Sequence, residues 1–361
     1  MNLFALNSPS ITGEVVCPGD KSISQRAVII GSLINQDMTI EGFLNGEDPI
    51  STINALNAIG SSIEIYNTSV TIKQRETAFI SPKEDVDLGN SGTGMRLMMG
   101  LISSLGINVR LVGDKSLSKR PMLRVSEPLN SMGANILCRD GMPPVQITKG
   151  NIKNNFSYDM PIASAQVKSS IILAALAANE SVTVKEKYQT RNHTEKMIDY
   201  FGGSIKSEII DQENVIYLSP SKLDITKSYK VVGDFSSAAF LIVAGLIAKE
   251  SNIIIKNVGI NPTRSGLIDI LKSMGGEISI RNQEIICNEE VADIHVQSSA
   301  LKGINIKGSI IPNIIDEIPV LSIAAAFADG QTTISEASEL RVKESDRLSA
   351  ISYGLNSIGK S

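Results

Sequence analysis

Small polar residues and cations recur where apolar runs begin in this chain, at PGDKSISQRAVI (18–29), GNSGTGMR (89–96), SAQVKSS (164–170) and RVKESDR (341–347). The first sets Lys21, Ser22 and Arg26 at a predicted helix start. Free N–H groups there attract anions, and two cations five residues apart can clamp a phosphate or carboxylate. Without an anion those cations oppose the helix dipole. GNSGTGMR turns on glycines, so bare backbone can approach a ligand, and SAQVKSS offers Ser164, Gln166 and Lys168. GDKSLSKRPM (113–122) adds Lys115, Lys119 and Arg120 in a predicted loop, and YQTRNH adds Arg191. IIDEIP carries Asp316 and Glu317 in an apolar stretch, where an unpaired carboxylate is costly. Singly, each has a plain counterpart: a solvated first turn, an ordinary glycine turn, an exposed charge run, a salt-bridged helix start. Together they describe a cleft for small, multiply anionic ligands, with carboxylates available for proton transfer.

Composition narrows the classes. The 361 residues suffice for two domains, and a net charge of −4 gives no bulk attraction to nucleic acid or an anionic membrane. Any anion site must be a local cluster. Cys17, Cys138 and Cys287 are far apart and the histidines are only His193 and His295, so no metal site is expected. Isolated thiols point to a reducing compartment. The N-terminus lacks a signal-peptide pattern, and the longest apolar run, AAFLIVAGLIA (238–248), is too short to span a bilayer. A cytoplasmic protein is expected.

The elements that must position these residues repeat. LNAIG ends at Gly60, LNSMG at Gly133, DYFGG at Gly203, LKSMGG at Gly276 and LNSIG at Gly359, about 70 to 85 residues apart. Each closes an amphipathic helix, with glycine as the left-handed cap. Alternating β-branched segments follow the first four and predict hairpins. Five other segments run into apolar helices, four opening on Ser, Asp or Asn and the fifth with Asp-Glu near its start: DKSISQRAVIIGSLI, NSGTGMRLMMGLISSL, SAQVKSSIILAALAA, DFSSAAFLIVAGLIA and IIDEIPVLSIAAAFA. Their apolarity predicts burial under sheet. The predicted unit is strand, helix, strand, helix, hairpin. After the fifth block only Lys360 and Ser361 remain, so the last unit is expected to be incomplete.

The final octapeptide GLNSIGKS (354–361) matches the phosphate-loop pattern G-x-x-x-x-G-K-S. Such a loop needs a strand before it and a helix after it. Here Leu348, Ile351 and Leu355 share a helical face before the match, so a nucleotide site is not expected.

In their order, PGDKSISQRA, LGNSGTGMRL, SKRPM, SAQVKS, DEIP and RVKESDR resemble the 5-enolpyruvylshikimate-3-phosphate synthase family over essentially the whole chain. SAQVKS with the later TRNHTE is more similar to the bacterial class II branch. The resemblance implies an α/β, two-lobed enolpyruvyl transferase fold of repeated βαβαββ units with buried helices and ligands bound between the lobes. Residues 1–20 plus 231–361 would form one lobe and 21–230 the other.

The same resemblance implies roles. Lys21, Ser22, Arg26, Ser164, Ala165, Gln166, Arg191, Asp316 and Lys343 would bind shikimate 3-phosphate. Lys21, Gly92, Arg120, Gln166 and Arg347 would bind phosphoenolpyruvate. Asp316 would act as base, Glu344 as proton donor, and Lys21 would bridge both ligands. No metal or organic cofactor, no nucleic acid and no membrane is implied, and a monomer is expected. The family's later Asp-His-Arg motif and Lys are not reached, so weak or no turnover is expected of these 361 residues alone. The alternatives are a UDP-N-acetylglucosamine enolpyruvyl transferase, whose usual loop cysteine is missing from GDKSLSKRP, and a non-catalytic remnant that binds shikimate 3-phosphate. A phosphate-loop NTPase makes a separate demand on the C-terminal residues. Calorimetry with ATP is expected to show no binding; binding lost on Lys360→Ala would restore that reading.

Overall fold

The computed structural model describes residues 10–223 and 228–359. Lys360 and Ser361, the end of the phosphate-loop match, lie outside them. The chain begins with β1 (Thr12–Val16), α1 (Lys21–Ile34), β2 (Met38–Glu41), α2 (Glu47–Ala58) and a hairpin of β3 (Ser62–Tyr66) and β4 (Ser69–Lys73). The order repeats in β5 (Val86–Asp87), α3 (Gly92–Ile102), β6 (Val109–Val112), α4 (Leu123–Ser131), β7 (Asn135–Arg139) and β8 (Met142–Thr148). It repeats again in β9 (Phe156–Met160), α5 (Ala165–Ala178), β10 (Val182–Glu186), α6 (His193–Tyr200), β11 (Ile205–Ile210) and β12 (Glu213–Leu218). A fourth pass uses β13 (Tyr229–Lys230), α7 (Phe235–Ile247), β14 (Asn252–Gly259), α8 (Gly266–Ser273), β15 (Glu277–Ile286) and β16 (Glu289–Gln297). Then come β17 (Asn305–Ile306), α9 (Ile311–Ile314), α10 (Ile318–Phe327), β18 (Thr333–Ile334) and α11 (Arg347–Ser357). All four expected hairpins and all five expected apolar helices form. The predicted loop after Gly113 contains a 3-10 turn at Leu117–Lys119.

One pairing rule builds the four-stranded sheets. A leading strand lies parallel to the strand after the helix, and that strand pairs antiparallel with the second strand of the hairpin. Two leading strands are exchanged. β1, which precedes α1, pairs with β14, whereas β13, which precedes α7, pairs with β2. The exchange divides the chain into a split unit, Met1–Pro18 with Val232–Ser361, and a central unit, Gly19–Val231. Backbone contacts accompany the two breaks. Pro18 C=O accepts from Asp234 N–H at 2.7 Å, tying Pro18 to the split unit. Val231 N–H donates to Glu41 C=O at 2.8 Å, and Gly19 packs against the Gly42 carbonyl.

Every repeat closes its second helix in the same way. Gly60, Gly133, Gly202 and Gly275 take positive φ, and each donates its N–H to the carbonyl three residues back. The following residue donates to the carbonyl five back: Ser61 to Leu56, Ala134 to Leu129, Gly203 to Ile198 and Gly276 to Leu271. This is the Schellman arrangement. It corrects the sequence assignment in two repeats, because the first glycine of DYFGG and of LKSMGG is the left-handed one. Gly203 and Gly276 are small for a different reason: a Cβ would lie 2.4 Å from Ile198 Cγ2 and 2.8 Å from the Leu271 carbonyl oxygen, respectively. Gly354 lies within α11 and Gly359 caps it with φ 71°, so residues 354–359 of the match are a helix end and its cap.

In the split unit the core joins α7 (Ala238, Ile242, Leu246) to the sheet through Ile255, Ile294 and Val296. In the central unit α5 is buried continuously from Val167 to Ala175. Among the described residues no single helix is long and apolar enough to cross a membrane.

Glycine substitutions separate strain from crowding. Gly106→Ala meets open space but needs φ near +70°, so it should cost about 1–2 kcal/mol in urea unfolding. Gly133→Ala adds a Cβ only 2.0 Å from the Asn151 carbonyl oxygen and should cost clearly more. Equal losses would contradict the packing.

Candidate active site

In the central unit Asp20, buried, caps α1 by accepting the Ile23 N–H at 2.9 Å. The cap orients the first turn, where Lys21 forms a half-exposed ion pair with Asp48 at 3.1 Å. Arg26, one turn further in, is only 3% exposed. Its Nε donates to Thr194 Oγ1 at 2.8 Å, Nη1 to the Ser22 carbonyl at 3.0 Å and Nη2 to Ser169 Oγ at 3.0 Å. The guanidinium therefore ties α1 to the starts of α5 and α6.

The starts of α3 and α5 meet beside it. Ser91 caps α3 by accepting from Gly94 N–H, and its hydroxyl also accepts from Gln25 Nε2 at 2.7 Å. Ser164 caps α5. Arg96, buried, donates to Gln166 Oε1 and to the Pro121 carbonyl, while Gln166 Nε2 donates to Thr93 Oγ1 at 2.8 Å. The loop carrying Arg120 is sewn to the glycine turn: Asp114 N–H donates to the Gly89 carbonyl at 2.9 Å and Arg120 Nη1 to the Asn90 carbonyl at 3.3 Å. The Asp114 carboxyl is held below its ordinary range, first by the Leu117 N–H. Against this loop Gly92 has no room to spare, since a Cβ would lie 2.6 Å from Arg120 Cζ.

Thus Lys21, Ser22, Arg26, Gly92, Arg120, Ser164, Ala165 and Gln166 come from the starts of α1, α3 and α5 and from one loop of one unit. Arg191 lies half-buried just before α6. Lys168 is not among them, because its ammonium points inward. Burial alone would lower that amine, but Glu195 and Glu186 override burial and hold it above its ordinary value. The contribution of these pairs is present below 10.5 and is lost only as pH rises through the raised value.

The split unit holds its own cluster of carboxylates and cations. Asp316 pairs with Arg347 Nη1 at 3.0 Å and Lys343 at 3.5 Å, and Arg347 Nη2 also meets Glu344 at 2.7 Å. Two carboxylates and two cations thus balance in one cluster. Burial opposes the charge on Arg347, yet Asp316 and Glu344 hold the guanidinium above its ordinary value. Glu317 turns the other way: it is 1% exposed and accepts from Ser236 Oγ, whose oxygen in turn accepts from Arg264 Nη2 at 2.9 Å.

Sequence reasoning missed Arg96, Ser169 and Thr194 as members of this array. Arg96 stands in the quoted glycine motif and could have been weighed by type. Ser169 and Thr194 have no signal, since only packing brings them to Arg26.

Comparisons decide the family. The sequence pattern of EPSP synthase (3-phosphoshikimate 1-carboxyvinyltransferase) matches residues 7–361. The chain is 46% identical over 349 residues to the 3-phosphoshikimate 1-carboxyvinyltransferase of Thermoanaerobacter sp. (strain X514), covering 97% of this chain and 82% of that one. It is 46% identical over 363 residues to that of Petrotoga mobilis, with 99% and 83% covered. The chain belongs to the EPSP synthase family. The solved EPSP synthase from Acinetobacter baumannii superposes with a TM-score of 0.83 at 42% identity, covering 96% of this chain and 78% of that one. The enolpyruvyl transferase NikO from Streptomyces tendae, at 18% identity and a TM-score of 0.66 over 90% and 75% of the chains, shares the fold. The family fold is the repeated α/β architecture described above.

Among the described residues no group of three or more His, Cys, Asp or Glu side chains is placed to hold a metal ion. At the α11 start of this EPSP synthase family member, Asp346 is the N-cap. Its carboxyl is lowered first by the Ser349 N–H, then by the Ser349 hydroxyl and Arg341. A depressed carboxylate stabilises above its ordinary 3.8 and loses that contribution as pH falls through the lower value. Acid titration followed at the Ser349 amide should show the first turn intact until pH is below 3.8, and Asp346→Ala should abolish the transition. A step above that value would contradict the cap.

Proposed function

We propose that the array in the central unit binds the two anionic substrates of EPSP synthase and that the split unit supplies the proton-transfer groups. The protein transfers the enolpyruvyl group of phosphoenolpyruvate to the 5-hydroxyl of shikimate 3-phosphate, with release of phosphate. The observation that carries the assignment is the convergence of capped starts of α1, α3 and α5 with Arg26, Arg96 and Arg120 in one unit of a family member.

Lys21, Ser22, Arg26, Ser164, Ala165, Gln166 and Arg191, with Asp316 and Lys343, hold shikimate 3-phosphate in this proposal. Lys21, Gly92, Arg120, Gln166 and Arg347 hold phosphoenolpyruvate. Glu344 donates a proton to the methylene carbon of phosphoenolpyruvate, leaving positive charge at the carbon that bears the phosphate ester. The 5-hydroxyl oxygen attacks that carbon while Asp316 takes its proton. The tetrahedral adduct then loses a methyl proton to Glu344 and expels phosphate, forming the enol ether. Arg120 and Arg347 stabilise the departing charge. No metal or organic cofactor is needed. Arg347 is held by both carboxylates, so an arriving phosphate that draws it away would release Asp316 and Glu344 for their work. A cytoplasmic monomer suits small soluble substrates.

Calorimetry with shikimate 3-phosphate is the test. Binding is expected, and Arg26→Gln should weaken it by about tenfold or more, since a hydrogen bond to a charged group contributes about 1.5–3 kcal/mol. Binding of UDP-N-acetylglucosamine instead would overturn the assignment. In phosphate-release assays with both substrates, any turnover by the chain should fall by about 10²–10⁴ in Asp316→Asn.

Gly92→Ala tests the phosphoenolpyruvate site. The added Cβ must displace the Arg120 guanidinium, so both the KM for phosphoenolpyruvate and the inhibition constant for the longer phosphonate glyphosate should rise. Unchanged constants would place Gly92 outside the site.

A further inference from the structure

Lys168 is fully buried, on the turn of α5 just inside the expected ligand residues Ser164, Ala165 and Gln166. Its ammonium lies 2.8 Å from Glu186 Oε1 at the end of β10 and 2.8 Å from Glu195 Oε1 in the first turn of α6. It also donates to the Thr190 carbonyl at 3.2 Å. Thr190 Oγ1 returns a hydrogen bond to Glu186 Oε2 at 2.6 Å, and Asn214 Nδ2 donates to Glu186 Oε1 at 2.7 Å from the hairpin.

The neighbouring residues make a second rung. Ser169 follows Lys168, Thr194 precedes Glu195, and Thr194 Oγ1 donates to Ser169 Oγ at 2.8 Å. Arg26 Nε and Nη2 donate to these two hydroxyls. Lys168 thus pairs with Glu186 and Glu195 in one rung, and Arg26 meets the Ser169 and Thr194 hydroxyls of α5 and α6 in the adjacent one. Arg191 follows the residue whose carbonyl Lys168 holds. Lys168 is fully enclosed, so the effect argued for it passes through Arg26 and Arg191.

We propose that Lys168, with Glu186 and Glu195, is a positioning cluster that sets the placement of Arg26 and Arg191 and thereby the affinity for shikimate 3-phosphate. An isolated ammonium in this position would be strongly unfavourable, and a lysine kept only to fill volume could be replaced by an apolar residue. What the apolar residue cannot reproduce is direction: three acceptors from β10, from the loop before Arg191 and from α6 converge on one cation. A hydrogen bond to a charged group contributes about tenfold or more in affinity, so displacing Arg26 or Arg191 gives the cluster its leverage.

The proposal rests on the assignment of shikimate 3-phosphate to the starts of α1 and α5, and the experiment separates the two. Shikimate 3-phosphate binding is measured by calorimetry on the full chain for Arg26→Gln, Arg191→Gln, Lys168→Met and the triple variant Lys168→Met, Glu186→Gln, Glu195→Gln. The triple variant leaves no buried charge unpaired among these three and remains informative if Lys168→Met alone does not fold. Ile147→Ala, buried on β8 in a different sheet of the same unit, is the control for general destabilisation. Both Lys168 variants that fold should bind shikimate 3-phosphate about tenfold or more weakly, as for one charged hydrogen bond lost, while Ile147→Ala lowers Tm and leaves binding within about twofold. Unchanged affinity in the folded Lys168 variants, or an equal loss in Ile147→Ala, overturns the positioning role. Unchanged affinity in Arg26→Gln and Arg191→Gln overturns the site assignment beneath it.

Discussion

At Gly100 the backbone of α3 lies directly on that of α5, so close that a Cβ there would sit 2.2 Å from the Ser170 carbonyl oxygen. Ser170 Oγ spans the same contact by donating to the Arg96 carbonyl at 2.7 Å. Two apolar helices packed this tightly cannot slide, so their N-termini are held at a set distance. That distance lets Arg96 reach Gln166 and lets Gln166 reach Thr93. The anion-attracting ends of two helices become one surface because one side chain is absent.

Charge is stored in pairs within each unit. Lys21 rests on Asp48, Lys168 on two glutamates, and Arg347 between Asp316 and Glu344. Exposed pairs such as the first contribute little to stability and exchange partners easily, whereas a buried pair resists disruption because a lone charge would remain. The division matches the roles. Groups proposed to meet ligands carry replaceable partners; the group that positions them does not.

The exchange of β1 and β13 has a comparable economy. It leaves the four-stranded pairing rule intact while the chain passes from one unit to the other at two points, Pro18/Gly19 and Val231/Val232. The helices α1 and α7 that begin just after these points open on Asp20 and Asp234, each a side-chain cap. Asp234 additionally meets Arg264 at 3.4 Å. The split unit thus carries its own buried network, ending at Glu317, beside the residue proposed as base.

Period and punctuation made the repeats legible in the sequence. Alternation marked the hairpins, apolar runs marked α3, α5, α7 and α10, and glycines marked the helix ends, because these signals depend on residues within a few positions of one another. Which glycine of DYFGG and LKSMGG turns left was not legible, since either of two adjacent glycines can take that conformation and the choice goes with where the helix-closing hydrogen bonds form. The cations of the site were visible by type and position, from Lys21 and Arg26 to Arg120 and Arg347. Their states were not. Lys168 looked like another cation at a helix start and is instead enclosed, because Glu186 and Glu195 arrive from parts of the chain 18 and 27 residues away. Local sequence determined where helices start, cap and end; tertiary packing alone decided which charges face inward, because the energy of a charge depends on what surrounds it.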